Sequence, residues 1–83
     1  KTNNSSIKIF PNPTHDNLNI LSNYFNKEIK NFEIYNLKGE LIQQYKIKQA
    51  KQSMTLNVPS GIYFYRILDS KNNIVSTGDI IVQ

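Results

Sequence analysis

Apolar residues in this chain recur at every second position in short bursts, and no stretch develops the 3.6-residue repeat of an amphipathic helix. The first burst is "IKIF" (Ile7–Phe10), halted by Pro11, which has no amide to offer a ladder. A second, "NLNIL", places Leu18 and Ile20 on one face, and the polar run "SNYFNKE" leads away from it. In "NFEIYN" (Asn31–Asn36), Phe32 and Ile34 share one face while Glu33 and Tyr35 share the other. "LKGE" then reads as a tight turn, with Gly39 free to take a positive φ. A fourth strand is predicted over Leu41–Ile47, followed by a polar loop "KQAKQS". A fifth, "MTLNV", alternates Met54, Leu56 and Val58 and is closed by Pro59-Ser60-Gly61. The sixth, Ile62–Leu68, is apolar on both faces except at Arg66, which points to a central strand. After the turn "DSKNN", the seventh runs from Ile74 to Val82, with Gly78 read as a bulge or kink.

Short strands at such spacing predict an all-β fold, an antiparallel β-sandwich of about seven strands, with a small open barrel as the alternative. The Cys pair and Trp of antibody domains are missing, so the pattern yields architecture only. One segment stands apart. Pro11 and Pro13 bracket Asn12, Pro13 biases Asn12 towards extended backbone, and "THDN" offers side chains suited to a turn.

Composition narrows the function classes. The chain has 83 residues and is 39% hydrophobic, enough for one small core and too apolar for a disordered segment. It has no cysteine, so no disulfide, thiolate metal site or thiol nucleophile is available. The net charge of +4 is carried mostly by lysine, and the densest cluster is Lys46, Lys48 and Lys51, with Arg66 the only arginine. That is too thin for a nucleic-acid footprint and suits solvated strand edges, so no nucleic-acid partner is expected. No apolar run is long enough for a membrane helix. "KTNNSS" (residues 1–6) has linker composition, and without an initial Met the chain reads as part of something longer, with the missing portion upstream.

Candidate chemistry is sparse. His15 and Asp16 could orient a general base, but no serine or threonine lies in a nucleophile-elbow context, and a polar turn explains the pair better. One histidine cannot build a protein-only zinc site. "DSKNN" has Lys71 where a calcium loop needs Asp or Asn, so a hairpin turn is the better account. Gly39, Gly61 and Gly78 are isolated and form no phosphate-binding loop. Tyr63 and Tyr65, with Ile67, form an aromatic stripe assigned to the inner face of a sandwich strand. No catalytic residue, metal or cofactor is expected.

Four landmarks occur in order: "FPNP" after the first strand, "IYNLKGELI" around Gly39, "LNVPSGIYFYRI" around Ser60-Gly61, and "GDIIVQ" at the end. Together they resemble the type A C-terminal sorting domain of the type IX secretion system of Bacteroidetes, across about Ile7 to Gln83. Two positions depart from the common pattern: Asn36 where many members carry Asp, and Gly78-Asp79 where Gly-Lys is common.

The resemblance implies an Ig-like sandwich that directs an upstream passenger across the outer membrane. It further implies transit through the periplasm, an outer-membrane translocon that reads the domain, a surface sortase-like peptidase that removes it, and a cell-surface or secreted destination. The recognition surface is then expected on Gly78, Asp79, Ile80, Ile81, Val82 and Gln83, with Ser60 and Gly61. Pro11, Asn12, Pro13, Gly39, Gly61 and Tyr63 are assigned to structure, cleavage is expected within or before residues 1–6, and the domain is expected to be a monomer. The competing expectation is an Ig-like accessory module binding carbohydrate or protein, which requires exposed, coplanar aromatics at Tyr35, Tyr63 or Tyr65.

Overall fold

A computed structural model describes residues 7–22 and 29–83; the expected linker (1–6) and most of the polar connection after the second strand lie outside the described residues. The described chain is all-β, with strands β1 (Ile7–Phe10), β2 (Asn17–Ser22), β3 (Ile29–Tyr35), β4 (Leu41–Lys46), β5 (Lys51–Thr55), β6 (Gly61–Asp69) and β7 (Ile74–Val82). They form a three-stranded sheet, β1-β2-β5, and a four-stranded sheet, β4-β3-β6-β7, every neighbouring pair antiparallel. The two sheets pack face to face as an Ig-like sandwich, and β6 is central, as its two apolar faces predicted.

Strict alternation builds the core. Leu18, Ile20 and Met54 from one sheet, with Leu56 just beyond its last strand, meet Phe32, Ile34, Tyr63, Ile67, Ile80 and Val82 from the other. Phe32 sits at the centre, with its ring 5.5 Å from that of Tyr65 and 6.2 Å from that of Tyr45. The Tyr45 hydroxyl donates to the Thr55 carbonyl 2.7 Å away, tying β4 to β5 across the sandwich. Tyr63 lies near the start of β6, and its hydroxyl donates to the Pro59 carbonyl at 2.5 Å, the tyrosine-corner arrangement of Ig-like sandwiches.

Two hairpins share one device. Asn36 Oδ1 accepts from the amides of Lys38 (2.9 Å) and Glu40 (3.0 Å), and Gly39 takes φ 86°. Asp69 Oδ1 accepts from Lys71 (2.9 Å) and Asn73 (2.8 Å), and Asn72 takes φ 65°. In both turns an Asx side chain supplies acceptors for amides the ladder cannot reach, and the residue three further on enters the left-handed region.

Two expectations are corrected. The fifth strand lies at Lys51–Thr55, not over Met54–Val58, because β2 offers a ladder only along Asn17–Leu21. Leu56 leaves that ladder, its amide bonding the Asp16 carbonyl at 2.6 Å, yet stays buried on the predicted face. Nor does Gly78 form a bulge, since it pairs in register with Tyr65. The irregularity sits at Val75, where Ser76 faces Ile67 and Ile74 faces Leu68. Gly78 serves close approach instead: a Cβ there would lie 2.7 Å from the Tyr65 ring, which crosses the glycine.

Candidate functional site: the edge and outer face of the last strand

The expected recognition residues lie on β7, at the edge of the four-stranded sheet, and the pleat divides them. Ile80 and Val82 point inward and are buried, and Gly78 lies beneath Tyr65. Asp79, Ile81 and Gln83 are exposed. The side chains of that row face solvent, while Ile80 and Val82 hold the strand to the core. Gly61 pairs with Val82, which brings the Ser60-Gly61 turn to the same end of the sheet.

The outer face continues this row. Ile62 lies opposite Ile81, and Phe64 lies between Tyr35 and Asp79; Ile62, Phe64 and Ile81 are 51%, 42% and 42% exposed. Beside them is an open groove of about 470 Å³, lined in part by Tyr35, Phe64, Arg66, Thr77 and Asp79.

At the groove's inner side Glu33 accepts hydrogen bonds from Tyr35 Oη (2.6 Å), Arg66 Nη2 (3.0 Å) and Gln44 Nε2 (3.1 Å). Arg66 also donates to the Tyr35 hydroxyl (2.7 Å), and its guanidinium carbon lies 5.1 Å from the Tyr35 ring centre. Burial pushes the Glu33 carboxyl up, but the bonds from Tyr35 and Arg66, the Arg66 charge and Gln44 outweigh it and hold the group below its ordinary 4.5. Burial, then the Glu33 bond and charge, push the Tyr35 phenol above 10.0. The network is internally satisfied, so it fixes the face without presenting a free charged group.

The proline segment reaches β7 from the other sheet. After β1 the chain crosses over, with the Phe10–Pro11 and Asn12–Pro13 peptides both cis, and Thr14 forms a parallel bridge to Val82. Asn12 Nδ2 donates to the Asp79 carbonyl (2.9 Å), and Asn12 Oδ1 accepts from the Ile81 amide (3.0 Å). The Thr14 amide donates to the Ile81 carbonyl (2.9 Å), and the Gln83 amide donates to the Thr14 carbonyl (2.8 Å). Thr14 is itself buried, its hydroxyl donating to the Asn17 carbonyl.

The family model for the secretion system C-terminal sorting domain matches residues 8–83. The chain belongs to that family. It is a C-terminal type IX secretion sorting signal, which implies interaction with the type IX machinery and export to the outer membrane, the cell surface or the medium. Bacteroidetes is implied by the family as well. No curated protein matches the chain.

A sorting domain is not typically catalytic. His15 and Asp16 are exposed in the turn before β2. Among the described residues no three His, Cys, Asp or Glu side chains gather as a metal site. Lys46 and Lys51 are exposed on the edge strands β4 and β5. Nothing favours the accessory-module alternative: Tyr63 is buried, Tyr65 packs on Phe32, and Tyr35 is bonded into the Glu33 network. The exposed aromatic of this face is Phe64, and local pattern placed it only as a central-strand residue. The tie from Asn12 to Asp79 and Ile81 also escaped sequence reading, because a contact across 67 and 69 residues leaves no local period.

Proposed function

We propose that the sorting domain is read as a folded unit by the outer-membrane type IX translocon. It carries an upstream passenger that has crossed the periplasm, and a surface sortase-like peptidase then cuts within or before residues 1–6. In this reading the domain is no enzyme and binds no cofactor. Its recognition surface is the end of the four-stranded sheet, where Asp79, Ile81 and Gln83 lie beside Ser60 and Gly61. The observation that carries the reading is the family match over residues 8–83. The exposed Ile62–Ile81 pair supports the location, since apolar side chains side by side on a solvated sheet face suit a docking partner.

Deleting Gly78–Gln83 is a poor test, because it removes Ile80 and Val82 from the core and unfolds the signal it means to probe. The discriminating variant is Ile81→Ser, which leaves the core intact. Residues 1–83 fused to an inert reporter are expressed in a type IX-competent host, and reporter is measured in medium and periplasm. Ile81→Ser is expected to retain the reporter in the periplasm while the purified domain melts within a few degrees of wild type. Export equal to wild type would remove the outward row of β7 from the proposal.

A further inference from the structure

Edge strands invite pairing with other chains, and this fold handles its four edges in two ways. β1, β5 and β4 carry Lys8, Lys51 and Lys46, all exposed. β7 has no lysine along Ile74–Val82. Instead the C-terminal end of its outer edge is occupied. In a ladder alternate residues aim both backbone groups at the same neighbour, and at this end of β7 the Asp79 carbonyl, the Ile81 amide and carbonyl and the Gln83 amide bond Asn12 and Thr14. The Asn12 amide, one donor and one acceptor, takes the place that a peptide group of an added strand would fill. Thr14 then continues the cover with its own backbone to Gln83.

We propose that Asn12 is a positioning residue for the sorting signal. It holds the end of β7 in a single conformation with that part of its backbone edge closed, so that the strand is read through the outward side chains of Asp79, Ile81 and Gln83. The inference rests on the preceding reading that this row is the address. It adds that the address works only while Asn12 keeps the strand from fraying. The Ile81 amide has Asn12 Oδ1 as its acceptor, a bond exposed to solvent, so losing it frees the strand end without opening the core.

The test pairs amide hydrogen exchange on the purified 83-residue chain with reporter export by the fusion, for wild type, Asn12→Ala and Asn12→Asp. In Asn12→Ala the Ile81 amide is expected to exchange roughly 5- to 30-fold faster, the range that follows from losing one or two ordinary hydrogen bonds. The amides of Tyr63, Ile67 and Ile80 should keep wild-type rates, and export should fall. Asn12→Asp keeps the acceptor for the Ile81 amide but loses the donor to the Asp79 carbonyl, and should recover part of both readouts.

Uniform acceleration of all four amides would overturn the proposal, since Asn12 would then serve overall stability alone. Wild-type export by Asn12→Ala despite a frayed Ile81 would overturn it as well, leaving the sorting reading intact. If instead Ile81→Ser is exported like wild type, the reading of the outward row fails and takes this inference with it.

Discussion

Replacing Glu33 by Gln tests how the outer face beside β7 is held. The carboxylate is nearly buried, at 7% exposure, and accepts from Tyr35, Arg66 and Gln44. Gln keeps the shape and one acceptor but loses the charge, and it sets a new donor against groups that already donate. Hydrogen bonds to charged groups contribute about 1.5–3 kcal/mol, but the Arg66 share must be discounted towards the surface range of about 0–1 kcal/mol. The reason is solvent screening, because the Arg66 side chain is 41% exposed. The net loss near neutral pH is therefore about 1–2 kcal/mol, which for a domain of this size lowers Tm by about 5–15 °C. The sign with pH follows from the depressed carboxyl: its folded value lies below the ordinary 4.5. The contribution is present above the unfolded value and is lost as pH falls through the folded one. Urea titrations of wild type and Glu33→Gln should thus differ near pH 7 and draw together as pH falls below 4.5. Parallel loss of stability in the two proteins across that range, or equal stability near neutrality, would refute the reasoning.

Two further substitutions probe the devices that shape the sheet. Asn36→Asp is expected to destabilise the β3–β4 hairpin by about 0.5–1 kcal/mol, because the Asn36 Nδ2 bond to Glu40 Oε1 is replaced by two facing carboxylates. That bond is 2.7 Å long, and most of the cost should disappear in a Glu40→Gln background, which a double-mutant denaturation cycle would read directly. Tyr63→Phe deletes the hydroxyl bond to the Pro59 carbonyl and should cost about 1–2 kcal/mol, measured as a shift of the urea midpoint at unchanged slope.

Much of the fold is legible in period two, because a strand with one buried face must alternate. Leu18 and Ile20, Phe32 and Ile34, and Tyr63 and Ile67 all sit inward as their spacing predicts. Where both faces are polar the signal fades. Lys51–Ser53 reads as loop, yet it is an edge strand whose pairing is dictated by β2. Gly78 shows the opposite failure, a residue marked as unusual for the wrong reason. Its missing side chain makes room for a ring one strand away, and a single sequence does not say which neighbour needs the space. The "DSKNN" turn is legible as a hairpin, and it repeats the Asn36 turn with a left-handed residue at the same offset. Asn12 could not: its partners lie at the far end of the chain.

Strand alternation also limits what any alteration of β7 can mean. Ile80 and Val82 belong to the core, whereas Asp79 and Ile81 belong to the surface, and the two sets interleave residue by residue. Truncation therefore removes the proposed address and the fold together, and loss of export after truncation cannot separate them. The Asn12–Thr14 cover adds a third quantity, the conformational freedom of the strand's end. Substitution at Ile80 alters packing, at Ile81 the face, and at Asn12 the mobility of that face. Because the three sites act through different physical terms, export can be apportioned among them only when each variant is paired with its own structural readout: melting for the first, docking for the second, and amide exchange for the third.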